Sequence, residues 1–313
     1  FAKSVQLGSG LEKTGKLSRD SMNRTIQALK VCKQKLDKYD VKYSRLIATE
    51  ACRRAKNSKD FILKVFQETG LKLNIIDTEE EARLAVISCA PLVSSKSEQL
   101  LVVDIGGGST ELVWIDLSAV PSHERPKSIM RLHSGFHAIE SPFPAARVVD
   151  WISVPLGVAT LRDQFNDVED DAARFALMSW YFEEKLTDFA PYKDNKIDTS
   201  FQIIGTSGTV TTVASSHLGL RRYDRTKVDG LRMTTDQIDK VIRSYLEMGP
   251  DGRKKDPRIG RDRQALIMSG SAILQAMLRS WPTDKLTVAD RGLREGLLYA
   301  QMSANGVLED VIL

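Results

Sequence analysis

The run Leu101-Val102-Val103-Asp104-Ile105-Gly106-Gly107-Gly108-Ser109-Thr110-Glu111-Leu112-Val113-Trp114-Ile115 decides how the chain is read. It opens as a short apolar stretch with β-branched residues, the pattern of a buried strand. Three consecutive glycines then demand a tight turn, because glycine alone takes positive φ without a steric cost. Beyond the turn the apolar pattern resumes, so the unit reads as a β-hairpin and not as a strand feeding a helix. A Walker-type loop needs G-x-x-x-x-G-K-[ST] and a following helix; there is no lysine here. What remains is a loop of bare backbone N–H groups, the Ser109 hydroxyl, and carboxylates at Asp104 and Glu111. Successive N–H groups form a nest for anionic oxygens, and carboxylates beside phosphate hold divalent cations. A ligand-free hairpin needs only two turn residues, so the pattern favours a phosphate loop at Gly106, Gly107, Gly108 and Ser109, with Asp104 and Glu111 as metal ligands.

The 313 residues suffice for two domains of ordinary size. With 42% hydrophobic and 27% charged residues, the chain falls in the soluble globular class. No apolar run approaches the ~20 residues that span a bilayer, and no signal-peptide pattern opens the chain. Cys32, Cys52 and Cys89 lack CxxC spacing, which fits reduced thiols and a cytoplasmic protein. A net charge of +4 suits an anionic ligand without demanding a specific nucleic acid. The first residue is Phe1, so an incomplete amino terminus is expected.

Taken in order, Ser18 caps a helix carrying Met22, Ile26, Leu29, Cys32 and Leu36 at helical spacing. Leu46 to Thr49 reads as a strand, and Glu50-Ala51-Cys52-Arg53-Arg54 turns away from its end. Ser58 is expected to cap the next helix, with Phe61, Ile62, Val65 and Phe66 buried and Gly70 ending it. Leu71 to Ile76 is a strand, Thr78 opens a helix to about Ala90, and polar Lys96 to Gln99 marks a domain boundary. Ser118 to Asp150, with Pro121, Pro126, Pro142 and Pro144, begins as a loop or irregular hairpin. Trp151 to Val154 is a strand and Asp170 to Phe189 a helix. Phe201 to Ile204 is a strand feeding Gly205-Thr206-Ser207-Gly208-Thr209 and a helix. Helices follow at Asp236 to Met248 and Asp262 to Leu278, a strand at Leu286 to Ala289, and a last helix from Gly292. Alternating strands and helices in two halves indicate α/β architecture.

Further stretches carry candidate chemistry. The Gly205–Thr209 loop joins a strand to a helix N-terminus, a natural anion site, with an ordinary βα turn as the plain alternative. Thr78-x-x-Glu81 is the spacing of a capping box, which would tie Glu81 to the backbone; a catalytic carboxylate competes with that reading. Arg53 lies just past a strand end, where α/β proteins place binding residues. Arg253 to Arg263 concentrates basic residues and reads as a solvated connection, or as a groove for a long polyanion. His133 and His137 lack the third ligand of a zinc site. With no Cys–His pair or G-x-S-x-G elbow, water is the expected nucleophile.

These motifs resemble the exopolyphosphatase and guanosine pentaphosphate phosphohydrolase family, within the actin/hexokinase/Hsp70 ATPase superfamily. Leu7-Gly8-Ser9-Gly10-Leu11 resembles that family's L-G-E-G-L, and Ala48-Thr49-Glu50-Ala51-Cys52-Arg53 its A-T-x-A-x-R. Glu80-Glu81-Ala82-Arg83-Leu84 is similar to E-E-A-R-L, Asp104 to Glu111 to D-I-G-G-G-S-T-E, Gly205 to Thr209 to G-x-S-G-T, and Arg291 to Gly296 to the closing L-R-E-G. Two segments depart from the pattern. No D-x-G-S-N-S hairpin opens the chain, and Arg263-Gln264-Ala265 stands where R-A-D is usual. The helical extension of longer members is not expected.

The resemblance implies two actin-like, ribonuclease H-like domains flanking a cleft. Domain I would cover residues 1–98, without its opening hairpin and with the last helix, about 292–310, packing back onto it; domain II would cover 99–291. It implies catalytic roles for Glu81 (positioning water) and Arg53 (stabilising charge), and phosphate binding by Gly106–Ser109 and by Gly205, Ser207, Gly208 and Thr209. Asp104 and Glu111 would hold Mg²⁺, with Mn²⁺ as a substitute and a monovalent cation as a further candidate. The expected substrate is inorganic polyphosphate, with guanosine pentaphosphate as runner-up and a homodimer as a candidate assembly. A sugar kinase or non-catalytic nucleotide-binding regulator is the alternative of another class.

Overall fold

Ser18 accepts a hydrogen bond from the Ser21 N–H and so starts helix α1 (Arg19–Lys38). The computed structural model describes residues 3, 5–136, 145–194, 197 and 199–307, and the chain divides into two units, Phe1–Glu81 and Ala82–Leu313.

In the first unit, strand β1 (Leu46–Ala48) leads into the short helix α2 (Glu50–Arg54), and helix α3 is Ser58–Thr69. Asn57, not Ser58, is the residue before α3, and its side chain pairs with the Leu17 backbone instead of capping. Gly70 ends the helix at φ 70°, a left-handed position where glycine has no Cβ penalty. Strand β2 (Leu73–Ile75) then pairs in parallel with β1. Ile26, Phe61, Val65 and Leu71 form the core, whereas Ile62 is half-buried and Phe66 exposed.

Helix α4 (Thr78–Ser88) crosses the division between the units. Its later residues Ala82 and Val86, with Cys89, Ala90 and Val93, are buried with Leu100, Val102, Val113 and Ile115. That packing places the boundary after Glu81 and not at the polar residues near 98, which lead directly into the next strand.

The second unit is built on β3 (Gln99–Ile105), β4 (Thr110–Asp116) and β5 (Arg147–Val154), followed by α5 (Val158–Gln164) and α6 (Asp171–Glu184). Then come β6 (Phe201–Thr206), α7 (Gly208–His217), β7 (Arg232–Met233), α8 (Thr235–Lys255), α9 (Ile267–Ser280), β8 (Leu286–Ala289) and α10 (Leu293–Ala304). The six strands lie in the order β5-β4-β3-β6-β8-β7. The glycine run closes the antiparallel β3–β4 hairpin, in which Asp104 pairs with Glu111, and β3 pairs in parallel with β6. Trp114, on β4, stacks on Phe201 at 4.9 Å between ring centroids.

Several bounds differ from the sequence reading. Strand β5 begins four residues before Trp151. The proline-dotted segment holds a short helix, Arg125–Met130, because Pro126 sits in the first turn, where its missing N–H is no loss. Helix α8 breaks at Gly249 (φ 63°) before Pro250. His137, Pro142 and Pro144 lie outside the described residues, as does the side chain of His133. Helix α10 ends at Ala304, and the space of a Cβ on its Gly296 is filled by the Leu84 carbonyl of α4.

Candidate active site

The Gly106–Ser109 turn is held from behind. Gly106 donates to the Ser109 carbonyl at 2.9 Å. Val158 and Ala159, in the first turn of α5, donate at 2.9 Å to the carbonyls of Gly106 and Gly107. The Thr160 hydroxyl reaches the Gly108 carbonyl at 3.2 Å. The loop carbonyls are thus committed to α5, while among the described residues the N–H groups of Gly107, Gly108 and Ser109 have no backbone acceptor. Unpaired N–H groups of this kind are what an anion nest uses, and the turn that carries them is fixed by a helix the sequence did not reveal. Gly157 makes the approach feasible, since a Cβ there would stand 2.5 Å from the Gly106 carbonyl oxygen.

Asp104 and Glu111 face one another across the hairpin stem. Asp104 is half-buried; Glu111 is 2% exposed, and its Oε1 accepts the Ser153 hydroxyl at 2.8 Å. Among the described residues no group of three or more His, Cys, Asp or Glu side chains could enclose a metal. Two carboxylates beside an anion nest do suit Mg²⁺, which takes one or two protein oxygens and completes its shell with phosphate and water.

The second loop differs from its expected form. Ser207 caps α7, its Oγ accepting from the N–H groups of Thr209 (3.1 Å) and Val210 (3.2 Å). Those donors serve the chain itself, and among the described residues the Gly208 N–H has no backbone acceptor. The exposed guanidinium of Arg263 occupies the space a Cβ of Gly208 would take. A cation thereby joins the helix N-terminus, at the position where the usual R-A-D is altered. Nothing in the local sequence of Arg263 announces this, because it stands on a separate turn before α9. The rest of the basic segment is divided: Arg253, 4% exposed, binds Asp171 through two 2.8 Å hydrogen bonds, and Arg258 pairs with Asp256. Arg291 of the closing motif binds Asp229, its carbonyl accepts the Thr206 hydroxyl, and Glu295 accepts from the Gly292 N–H at 3.0 Å, which ties α10 to the end of β6.

In the first unit the capping reading of Glu81 gives way. Asp77 caps α4, its Oδ1 accepting from the Glu80 N–H at 2.7 Å. Glu81 lies one residue past the capping-box position, is 9% exposed, and sits with Oε2 2.7 Å from Arg53 Nη1. The contact is an ion pair made through Nη1. Arg53 Nη1 donates to the Ile76 carbonyl and Nη2 to Glu50 Oε2, both at 3.0 Å. Burial pushes the Glu81 carboxyl above the usual glutamate range, against the smaller opposing pull of Arg53. The arrangement is a carboxylate kept basic by desolvation and held beside a guanidinium.

A model of the Ppx/GppA phosphatase family matches residues 2–305. The chain belongs to that family. The crystal structure of the Aquifex aeolicus Ppx/GppA family member is 29% identical, covers 97% of this chain and 88% of its own, and superposes with a TM-score of 0.74. An exopolyphosphatase from Cytophaga hutchinsonii superposes with a TM-score of 0.78 over 96% of this chain and 88% of its own; at 21% identity that likeness speaks to fold alone. The bifunctional 3-dehydroquinate synthase/phosphatase of Fusobacterium nucleatum is 26% identical over 91% of this chain, which spans 39% of that relative's length. The Ppx/GppA fold, an α/β fold of the actin-like ATPase type, is therefore the fold of this chain. No helix among the described residues is long and apolar enough to cross a membrane.

Proposed function

We propose that the protein is a metal-dependent phosphoanhydride hydrolase that releases terminal orthophosphate from inorganic polyphosphate. The observation that carries this reading is Glu81: a buried carboxylate freed from capping by Asp77 and kept basic by desolvation. Phosphoryl transfer needs charge neutralisation and an aligned nucleophile, not a covalent intermediate. The N–H groups of Gly107, Gly108 and Ser109 bind the oxygens of the terminal phosphate, and Gly208 with Arg263 adds a second anion contact. Asp104 and Glu111 would hold Mg²⁺, which supplies charge neutralisation at phosphate oxygens when bound. Glu81 takes a proton from water as the water oxygen attacks the terminal phosphorus. The P–O bond to the rest of the chain breaks, and that bridging oxygen leaves on the shortened polyphosphate. Arg53, adjacent to Glu81, would supply positive charge to the transferred group.

Guanosine pentaphosphate carries the same kind of terminal anhydride and is the second substrate to test. Supplying the purified protein with polyphosphate, guanosine pentaphosphate or ATP in Mg²⁺, and measuring orthophosphate, separates the readings. Release from polyphosphate at the highest rate is expected. Faster release from the pentaphosphate would reassign the substrate, and ATP turnover that requires an added sugar would move the protein to the kinase class.

A further inference from the structure

Glu50 occupies the variable position of the A-T-x-A-x-R stretch, and no role attaches to it in the reaction above. Its carboxylate is largely buried, with 17% of the side chain exposed, and it meets Arg53 one turn along the same short helix. Oε2 accepts from Arg53 Nη2 at 3.0 Å, and Oε1 is 3.7 Å from Arg54 Nε. Arg53 thus lies between two carboxylates, with Glu50 on Nη2 and Glu81 on Nη1. The two contacts differ: Nη2 serves Glu50, whereas the Nη1 that meets Glu81 also donates to the Ile76 carbonyl.

We infer that Glu50 is a positioning residue for the proposed reaction: by holding one side of the Arg53 guanidinium, it limits that arginine to a one-pronged contact with Glu81. A guanidinium facing a single buried carboxylate would turn toward it and form a two-pronged pair, the strongest geometry open to arginine. A carboxylate so paired is a poor base. With Nη2 held by Glu50 and Nη1 shared with the Ile76 carbonyl, that geometry is denied to Glu81. The charge of Glu50 acts in the same direction. The charged groups facing Glu81 are Arg53, which lowers its proton affinity, and Glu50, which raises it.

Glu50→Gln tests this, since glutamine keeps the size and one acceptor oxygen while losing the charge. The first readout needs no turnover: carboxyl-carbon NMR of the glutamates, with Glu81→Gln to assign the Glu81 signal. Glu81 should titrate at lower pH in Glu50→Gln than in the parent, and Glu50→Asp should titrate near the parent. In phosphate release from polyphosphate, kcat should fall roughly three- to tenfold, a fraction of a full general-base contribution. KM should not rise, and the acid limb of the pH profile should move with the titration. An identical Glu81 titration in Glu50→Gln and the parent would overturn the inference. If the parent releases no phosphate from polyphosphate or guanosine pentaphosphate, the hydrolase reading fails separately, and the titration still decides the role of Glu50.

Discussion

Asp77 Oδ1 takes the Glu80 N–H, and the Glu80 carboxylate itself pairs with Arg45 at 2.6 Å, so the start of α4 is satisfied without Glu81. Asp77→Ala should therefore lower stability by about 1 kcal/mol, the usual worth of an N-cap, as read by denaturant unfolding. Glu81→Gln should behave differently. A buried carboxyl whose proton affinity is raised stabilises the fold while protonated, and that contribution is lost as pH rises through its folded-state pKa. At neutral pH the charged form opposes folding, so Glu81→Gln should melt no lower than the parent, and the gap should close in acid. A clear loss of melting temperature at neutral pH would show that Glu81 supports the fold. Local sequence could not separate these roles. Asp77 and Thr78 are both N-cap types, and moving the helix start by one residue exchanges Glu80 for Glu81 at the capping position. The choice depends on where β2 ends.

The β3–β4 hairpin was legible because three glycines and two flanking apolar runs state it within fifteen residues. Its support was not, because α5 approaches from some fifty residues downstream and is marked only by Gly157. Two glycines now make a paired prediction. In Gly157→Ala the new methyl would meet the backbone of Gly106, Gly107 and Gly108 at 2.5–2.6 Å, none of which can turn aside. The cost should be about 1–3 kcal/mol, typical of overpacking, with displacement of the phosphate turn and loss of turnover. In Gly208→Ala the methyl meets the flexible end of Arg263. That side chain can swing away, so melting should change little while KM rises roughly tenfold for the loss of one charged hydrogen bond. Equal effects of the two variants on stability would contradict the packing described. The second loop was only half legible: its strand-loop-helix form is local, but the capture of its N–H groups by Ser207 depends on a rotamer.

At the scale of the molecule, the two-unit α/β organisation followed from alternating strands and helices, whereas the boundary did not. Polar residues near 98 suggest a linker, yet the apolar side of α4 after Glu81 is buried with β3 and β4, and burial decides. The proposed metal site depends on two carboxylates that strand register brings opposite each other. Asp104→Asn and Glu111→Gln should each raise the Mg²⁺ concentration needed for half-maximal phosphate release; an unchanged Mg²⁺ dependence in both would remove them from the site. The most direct measurement is orthophosphate release from polyphosphate in Mg²⁺ by the parent and by Glu81→Gln, with melting curves of both. The parent should turn over, and Glu81→Gln should be slower by roughly 10²–10⁴ while remaining as stable. Turnover by Glu81→Gln at the parent's rate would contradict this expectation.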